Sequence, residues 1–282
     1  MFSILTRGVA AFVASVSGGG GAQQQQDATG AEDAGRGGSA ASNRRTSSVR
    51  SMNRQQGAQQ QQNAQFQIEH QNLDPQELMQ YLMENFVPNE PILASLAIRE
   101  VEGLKQMLSD LVQDSMQCSS TCIIRCPRTR QIDAVSLACK ASLFDTQIDR
   151  LCSYVFDDEQ VATACEFLKY VFNRLDITYH FEENRIRNPI FIALVSVRRE
   201  KWRQGLGAAV VESSIEAARN DRCDGALSLA SNSVACRLIT RRFPITIQSI
   251  RYDTFRGSHR NPPIVMPREE TQRCLYVMLA RF

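Results

Sequence analysis

The chain has 282 residues, a formal net charge of +2 at pH 7 and nine cysteines. So small a net charge gives no argument for nucleic acid or a membrane surface, and we expect no nucleic-acid partner. Nine scattered cysteines, several within apolar runs, indicate reduced thiols in a cytoplasmic protein and not a disulfide framework.

Cys118, Cys122 and Cys126 share a spacing of four residues, which raises the question of a metal site. Zinc sites combine such cysteines with a second Cys or His group, and the chain has no second cluster beside its three scattered histidines. We therefore expect these cysteines to be core residues and no metal to be bound.

The composition of residues 1–64 differs from that of the rest. Gly, Ala, Gln, Ser, Asn and Arg dominate, with two QQQQ runs, which predicts a disordered low-complexity region. The apolar run Val9–Val16 is far shorter than the ~20 residues of a spanning helix, so no transmembrane segment is expected; a targeting peptide is the alternative to an unstructured terminus. Arg44-Arg45-Thr46-Ser47 fits a basophilic kinase site and predicts a phospho-dependent partner at Ser47, unless the match is a chance one.

Residues 65–282 carry alternating strand and helix signals. Phe66–His70 alternates as a half-buried strand does, and Asp74-Pro75-Gln76-Glu77 has the N-cap, first-turn proline and capping-box glutamate of a helix start. A second helix is expected over about Leu93–Met116. The segments Cys122–Cys126 and Ile132–Phe144 then flank the turn-like CPRTRQ and predict a hairpin.

The second half of the chain continues this alternation. An amphipathic helix around Val161–Phe172 precedes IFIALVSV (Ile190–Val197), a nearly continuous apolar run that indicates a strand buried on both faces. The expected elements that follow are a helix over Leu206–Asn220, a strand over Gly225–Ala230, a short helix over Ser233–Arg242, a strand over Ile245–Phe255 and a final strand in QRCLYVMLARF. This order predicts an α/β (α+β) domain around one mixed sheet.

The basic loop between Ile190–Val197 and Leu206–Asn220 is the segment most suggestive of function. It contains no G-x-x-x-x-G-K-[ST] motif, and its seven residues before Gly205, with no acid at the next strand end, argue against a dinucleotide-binding turn. The remaining design is a glycine-flanked helix start whose backbone N–H groups converge on a pyrophosphate, beside Arg203 and other basic side chains. These N–H groups would come from Gln204, Gly205, Leu206, Gly207 and Ala208. A plain glycine-rich connection is the alternative.

At G-L-G (205–207), between a buried strand and an amphipathic helix, the chain resembles the GNAT superfamily of acetyl-CoA-dependent N-acetyltransferases, with signature [QR]-x-x-G-x-[GA]. Trp202 stands at the first position of that signature, and Arg203 follows it. ENFVPNEPILASL (Glu84–Leu96) is similar to the F-F-x-x-[DE]-E-P-[LI]-x-x-x-L segment of the arylalkylamine N-acetyltransferase-like branch, best known from insects. The tail from Ser249 resembles that branch too, so the resemblance covers nearly all of Phe66–Phe282.

The resemblance implies a three-layer fold whose central mixed, mostly antiparallel sheet is splayed at the strand that binds acetyl-CoA. It also implies acetyl transfer to a primary amine, most readily a small arylalkylamine, by direct attack in a ternary complex. Leu194, Val195, Val197 and Asn232 are the further cofactor contacts that it suggests. Asp74, Ser231 and Ser233 are its catalytic candidates.

The catalytic residues of the family are matched only in part by the chain. The helix that holds a tyrosine general acid in many members reads ACRLITRRF here, without a tyrosine, and Asp74 also fits a plain N-cap. The alternative function is therefore a catalytically impaired GNAT-fold protein that binds acyl-CoA or a protein partner.

Overall fold

A seven-stranded mixed sheet organises the computed structural model, which describes residues 66–98, 102–140, 153–257, 263–268 and 270–282. In chain order, strands β1 to β7 are Gln67–Glu69, Cys122–Arg125, Ile132–Lys140, Pro189–Val197, Gly225–Ala230, Ile245–Arg251 and Cys274–Arg281. Helices α1 to α7 are Pro75–Tyr81, Pro91–Ser95, Glu102–Met116, Glu159–Phe172, Ile177–Glu183, Leu206–Asn220 and Ser233–Ile239.

The strands lie in the order β1-β2-β3-β4-β5-β7-β6. The pairs β2–β3, β3–β4, β5–β7 and β6–β7 are antiparallel, whereas β4 and β5 run parallel. The central strands β4 and β5 are buried along their whole length, which explains why their sequences are continuous apolar runs without alternation.

Helices cover both faces of the sheet. On one face of β3 the Ser214 hydroxyl of α6 donates to the Ser136 hydroxyl over 2.8 Å. On the other face, Ser115 Oγ of α3 lies 3.3 Å from Cys139 Sγ. Because Ser136 and Cys139 are an odd number of residues apart, they point to opposite faces of the strand, with one helix on each. The predicted α/β, three-layer architecture is confirmed.

Several predicted element boundaries were wrong. The single helix expected over Leu93–Met116 is two helices, because Ala97 adopts a left-handed φ of 52° after α2 and α3 begins only at Glu102. The last helix ends at Ile239 and β6 at Arg251, where a turn of 3₁₀-helix follows. Helix α5 was missed because none of its residues is buried, so it shows no apolar stripe.

Some of the predicted features lie outside the described residues. These are the low-complexity region over residues 1–64, with Ser47, and the end of the strand expected over Ile132–Phe144. Among the described residues, the cysteines form no disulfide, and no three His, Cys, Asp or Glu side chains group as metal ligands would. No helix in this part of the chain is long and apolar enough to cross a membrane.

Gly225 is the glycine on which the start of the parallel β4–β5 pair depends. A Cβ atom at this position would lie 2.7 Å from Ile186 Cδ1 and 2.8 Å from the Ala280 carbonyl oxygen. Side chains can adjust, but the Ala280 carbonyl cannot, because its strand is fixed by pairing of Ala280 with Ala226. Only glycine therefore allows this approach of β5 to its neighbours.

We predict that Gly225→Ala lowers the free energy of unfolding by about 1–3 kcal/mol, the usual cost of overpacking. Urea denaturation followed by circular dichroism measures it. As a control, Asn220→Ala at the exposed end of α6 is expected to change the same quantity by less than about 0.5 kcal/mol. Equal effects of the two substitutions would contradict the packing argument.

Candidate active site

The site begins where strands β4 and β5 separate. Their parallel pairing runs from Pro189 opposite Gly225 to Ile192 opposite Ser228 and ends there, although both strands continue. At the fork, the Ser228 hydroxyl donates to the Ile192 carbonyl oxygen over 3.0 Å. Beyond it, β4 stays paired with β3, and β5 with β7.

A bulge in β4 coincides with this fork. Leu137 of β3 pairs with Leu194 and Ala138 pairs with Ile192, so Ala193 is an extra residue on the β4 side. Bulges bend a strand and increase its twist. Ala193 follows directly after the last residue that pairs with β5, and the bend therefore turns the second half of β4 away from β5.

The separated half of β4 has no partner strand on its open side. Every second residue of a strand directs its N–H and C=O towards a given neighbour, and for residues 193–197 no β5 residue pairs with them. The buried Ser196 hydroxyl, too, has no hydrogen-bond partner within the described structure. Leu194, Val195 and Val197, the residues expected to contact pantetheine, lie in this half and are buried.

The helix that follows β4 begins without a side-chain cap. Five other helices start at a residue whose side-chain oxygen accepts from the first backbone N–H groups: Asp74, Glu90, Asp158, Asp176 and Asn232. Helix α6 starts instead at Gly205, which has φ 82° and no side chain to accept these bonds. The first N–H groups of α6 are left for a ligand or solvent.

Gly205 also leaves space in front of this helix start. A Cβ atom at Gly205 would have no atom within 4 Å, so the position is open, and its left-handed φ is one that glycine adopts without strain. Gly207 is half-buried, Gln204 and Ala208 are exposed, and Leu206 packs into the core. Uncapped N–H groups with the positive end of the helix dipole suit an anion.

An ion pair holds the basic loop against the sheet. The buried Asp133 carboxylate of β3 lies 3.6 Å from both Arg198 Nε and Lys201 Nζ. The Arg198 guanidinium also donates to the Ile132 carbonyl oxygen over 2.8 Å. Arg198 and Lys201 were expected to make the electrostatic potential near the helix start more positive. Both instead pair with Asp133 of β3, which partly neutralises their charge.

The rest of the loop presents its charge outward. Arg199 lies over the Trp202 ring, 5.7 Å from its centroid, and the Trp202 indole donates to the Val197 carbonyl oxygen over 2.8 Å. Arg203 is exposed and takes a left-handed φ of 65° directly before the helix start. Arg199 and Arg203 therefore remain as the cations outside the Asp133 ion pair.

The turn that follows β5 lies at the same edge of the sheet as this loop, because the two parallel strands end there. Ser231 is buried and its carbonyl oxygen accepts from the Tyr252 hydroxyl over 2.5 Å. The Asn232 side chain caps α7 by accepting from Val234 N and Ala235 N. Predicted catalytic residues Ser231 and Ser233 thus sit in a rigid turn.

Glu90 is the buried carboxylate of this region. It is 1% exposed, and its Oε2 accepts from Ile92 N over 2.6 Å and Leu93 N over 3.0 Å. Its Oε1 has no hydrogen-bond partner among the described residues, although the Ser231 hydroxyl is a neighbour of the carboxylate. Glu90 Oε1 and Ser196 Oγ are the two such buried side-chain atoms of the described chain, and both border the fork region.

Burial gives this carboxylate a proton affinity suited to chemistry near neutral pH. Desolvation raises the pKa of Glu90 to about 7, and the neighbouring Glu270 charge adds to the rise. The nearby Ser231 side chain and the hydrogen bonds from the two backbone amides act in the opposite direction. A carboxylate with such a pKa and one open oxygen can accept a proton from a bound group.

Asp74, the third catalytic candidate from the sequence, occupies a different environment. It is exposed, and its carboxylate accepts from Gln76 N over 2.9 Å as the N-cap of α1. The structure records no contact between Asp74 and the Ser231–Ser233 turn. Glu90 lies in the family-like segment Glu84–Leu96, so the sequence did point to this part of the chain. It gave no sign that the carboxylate is buried, because Glu90 is an isolated acid between two prolines.

Comparison with known proteins shows what this chain is similar to. Residues 132–243, from β3 to just past α7, match the model of the acetyltransferase (GNAT) family. No curated protein matches the sequence significantly. The structure is similar to that of arylalkylamine N-acetyltransferase 2 from Aedes aegypti, with a TM-score of 0.63, 16% identity, and 77% of this chain and 98% of that chain covered.

Two further structures share the fold. The polyamine N-acetyltransferase of Drosophila melanogaster, which catalyses formation of N-acetylagmatine, has a TM-score of 0.60, 15% identity, and 77% and 100% coverage of the two chains. The C-terminal condensation domain of Ebony, in complex with β-alanyl-dopamine, has a TM-score of 0.57, 12% identity and the same coverage. The predicted resemblance is confirmed: residues 132–243 match the model of the GNAT family, and the structure has the fold of the insect arylalkylamine N-acetyltransferases.

Proposed function

We propose that the chain transfers an acetyl group from acetyl-CoA to the primary amine of a small molecule, with the cofactor in the fork between β4 and β5. The single observation that carries this proposal is the coincidence of the bulge at Ala193, the end of β4–β5 pairing at Ile192 and the uncapped start of α6 at Gly205. Together they supply a slot for an extended chain and an anion site at its end.

The residues present suit acetyl-CoA. The open side of Leu194–Val197 offers backbone groups to the amide-containing pantetheine arm, and the N–H groups from Gln204 to Ala208 suit its pyrophosphate. Arg199 and Arg203 add positive charge near the same helix start. The unpartnered Ser196 hydroxyl is a polar group that a ligand in the fork would satisfy.

When bound, acetyl-CoA supplies a thioester carbonyl that is open to attack by an amine. An amine arrives largely as an ammonium ion at neutral pH, so a base must first remove a proton. In our proposal Glu90 takes this proton on Oε1, while Ile92 N and Leu93 N keep Oε2 in place. Ser231 neighbours that carboxylate, and we assign it the role of orienting Glu90 and the amine.

The proposed acceptors are arylalkylamines, with agmatine-like amines as the second class to be screened. This choice rests on the amines for which enzymes with the same fold are named, namely arylalkylamines, agmatine and polyamines. A catalytically impaired protein that binds acyl-CoA is the competing function. Turnover of acetyl-CoA with an amine panel separates the two.

Gly205→Asp tests the anion site at the helix start. Aspartate tolerates a left-handed φ and would cap the free N–H groups itself, so the fold should persist while a negative charge fills the pyrophosphate position. We predict that acetyl-CoA affinity, measured calorimetrically on the full chain, falls roughly 30-fold or more, the equivalent of ~2 kcal/mol.

Gly205→Asn is the matched control, because it has nearly the same shape without the charge. It should lose less affinity than Gly205→Asp. Equal, wild-type-like binding by both variants would place the pyrophosphate elsewhere, and no binding to the native chain would remove the cofactor proposal.

Glu90→Gln tests the proposed base. Glutamine retains an oxygen for Ile92 N and Leu93 N but cannot take a proton, so kcat should fall by about 10²–10⁴-fold with acetyl-CoA affinity unchanged. In the native protein, activity should decline as the pH falls through about 7, where Glu90 becomes protonated, and the variant should lose this limb of the profile.

Asp74→Asn is the companion variant for the base assignment. If Glu90 is the base, Asp74→Asn changes activity little, since only a helix cap is altered. A large loss of kcat in Asp74→Asn with near-normal activity in Glu90→Gln would reverse the assignment in favour of the residue expected from the sequence. Initial rates from thiol release measure both.

A further inference from the structure

A second carboxylate, Glu270, lies beside the turn that carries Ser231. It precedes β7, and its Oε1 accepts from Ser233 N over 3.1 Å and from Gln272 N over 2.8 Å. These two bonds fix the carboxylate over the start of α7. In the same segment, the Gln272 side chain donates to the Ala230 carbonyl oxygen over 2.9 Å, which anchors the segment to the end of β5.

Glu90 and Glu270 share an unusual arrangement. Each carboxylate has one oxygen bound by two backbone N–H groups, and the buried second oxygen of Glu90, Oε1, has no hydrogen-bond partner among the described residues. Neither forms an ion pair with a described lysine, arginine or histidine. The Glu270 charge nevertheless acts on Glu90. Two neighbouring acids without a cation are unfavourable unless one is protonated or a cation joins them.

The titratable groups that act on Tyr252 beside this pair include no cation. The buried Tyr252 hydroxyl senses both carboxylates and donates to the Ser231 carbonyl oxygen, which leaves it unavailable to either acid. Cys274 and Tyr276, on β7, are the further titratable groups around Tyr252. With Glu90 buried and its Oε1 unpartnered, a cationic ligand is the missing element.

We propose that Glu270 is a second carboxylate of the acceptor site, which binds the ammonium group of the incoming amine beside Glu90 Oε1. This inference rests on the proposed acetyltransferase function and adds to it the group that captures the substrate in its charged form. The proton then passes from the ammonium nitrogen to Glu90 Oε1: one N–H bond breaks, one O–H bond forms, and the nitrogen retains the lone pair that attacks the thioester.

Glu270→Gln is the variant that isolates the charge. Glutamine keeps an oxygen for Ser233 N and Gln272 N, so the turn should hold its shape. The expected results are a KM for the amine about tenfold higher, on the scale of one hydrogen bond to a charged group, and an unchanged affinity for acetyl-CoA. Glu216→Gln, at an exposed position on α6, is the matched control and should change neither.

A second readout does not require activity. In full-length protein labelled with ¹³C at glutamate Cδ, the Glu90 signal is the one missing from Glu90→Gln. The midpoint of its pH titration should be lower in Glu270→Gln, because the repelling charge is gone. The midpoint should be unchanged in Glu216→Gln. If the native protein acetylates no amine, the proposed function is wrong. If Glu270→Gln leaves both the Glu90 titration midpoint and the KM for the amine unchanged, the proposed role of Glu270 is wrong.

A third arm uses the native chain and guards against a variant that does not fold. Methylammonium chloride should lower the Glu90 midpoint, since a cation between the carboxylates favours their ionised forms. Tetramethylammonium chloride at the same ionic strength, which has no N–H donors, should lower it less. Equal effects of the two salts would mean screening alone and would overturn the proposal.

Discussion

The bulge at Ala193 is the constraint on which the rest of the site depends. A regular β4 would pair with β3 and β5 along its whole length and leave no slot in the sheet. With one extra residue, β4 keeps its pairing with β3 but turns from β5 after Ile192. The sheet thereby gives up backbone hydrogen bonds that are normally obligatory in a buried strand, a loss that a bound chain with amide groups would restore.

Further interactions fix the two sides of the slot where the parallel strands end. On the β4 side, Asp133 ties Arg198 and Lys201 to β3, next to the start of α6. On the β5 side, Tyr252 and Gln272 donate to the carbonyl oxygens of Ser231 and Ala230. The uncapped helix start and the turn next to Glu90 are thus both held by side chains from other parts of the chain.

The sheet and the basic loop could be predicted from the sequence because each has a recognisable local pattern. A run of eight residues with Ser196 as its one polar member indicates a strand buried on both faces, and G-L-G before an amphipathic helix indicates an uncapped helix start. The bulge has no such pattern, because Ala193 is an extra residue only in relation to the pairing of β4 with β3. The break after α2 was hidden for a similar reason: Ala97 has a high helix propensity, and its left-handed φ is imposed by the surrounding fold.

The catalytic candidates show the same limit. Asp74 and Glu90 both precede a proline and both cap a helix, so their local sequences look alike. Their difference is environment: Asp74 is exposed, whereas Glu90 is 1% exposed with one oxygen unpartnered. Glu270 lies 180 positions further along the chain than Glu90, and only the folding of β5, α7 and β7 brings the two charges into one region.

The most direct test of the central claim is amide hydrogen exchange of the full chain with and without acetyl-CoA. If the cofactor lies in the fork, exchange should slow in two separate segments, residues 193–197 of β4 and residues 204–209 at the start of α6, while α4 changes little. Slowing in only one segment, or at a different place, would contradict the account. It would mean that the fork and the helix start do not hold the two parts of one ligand.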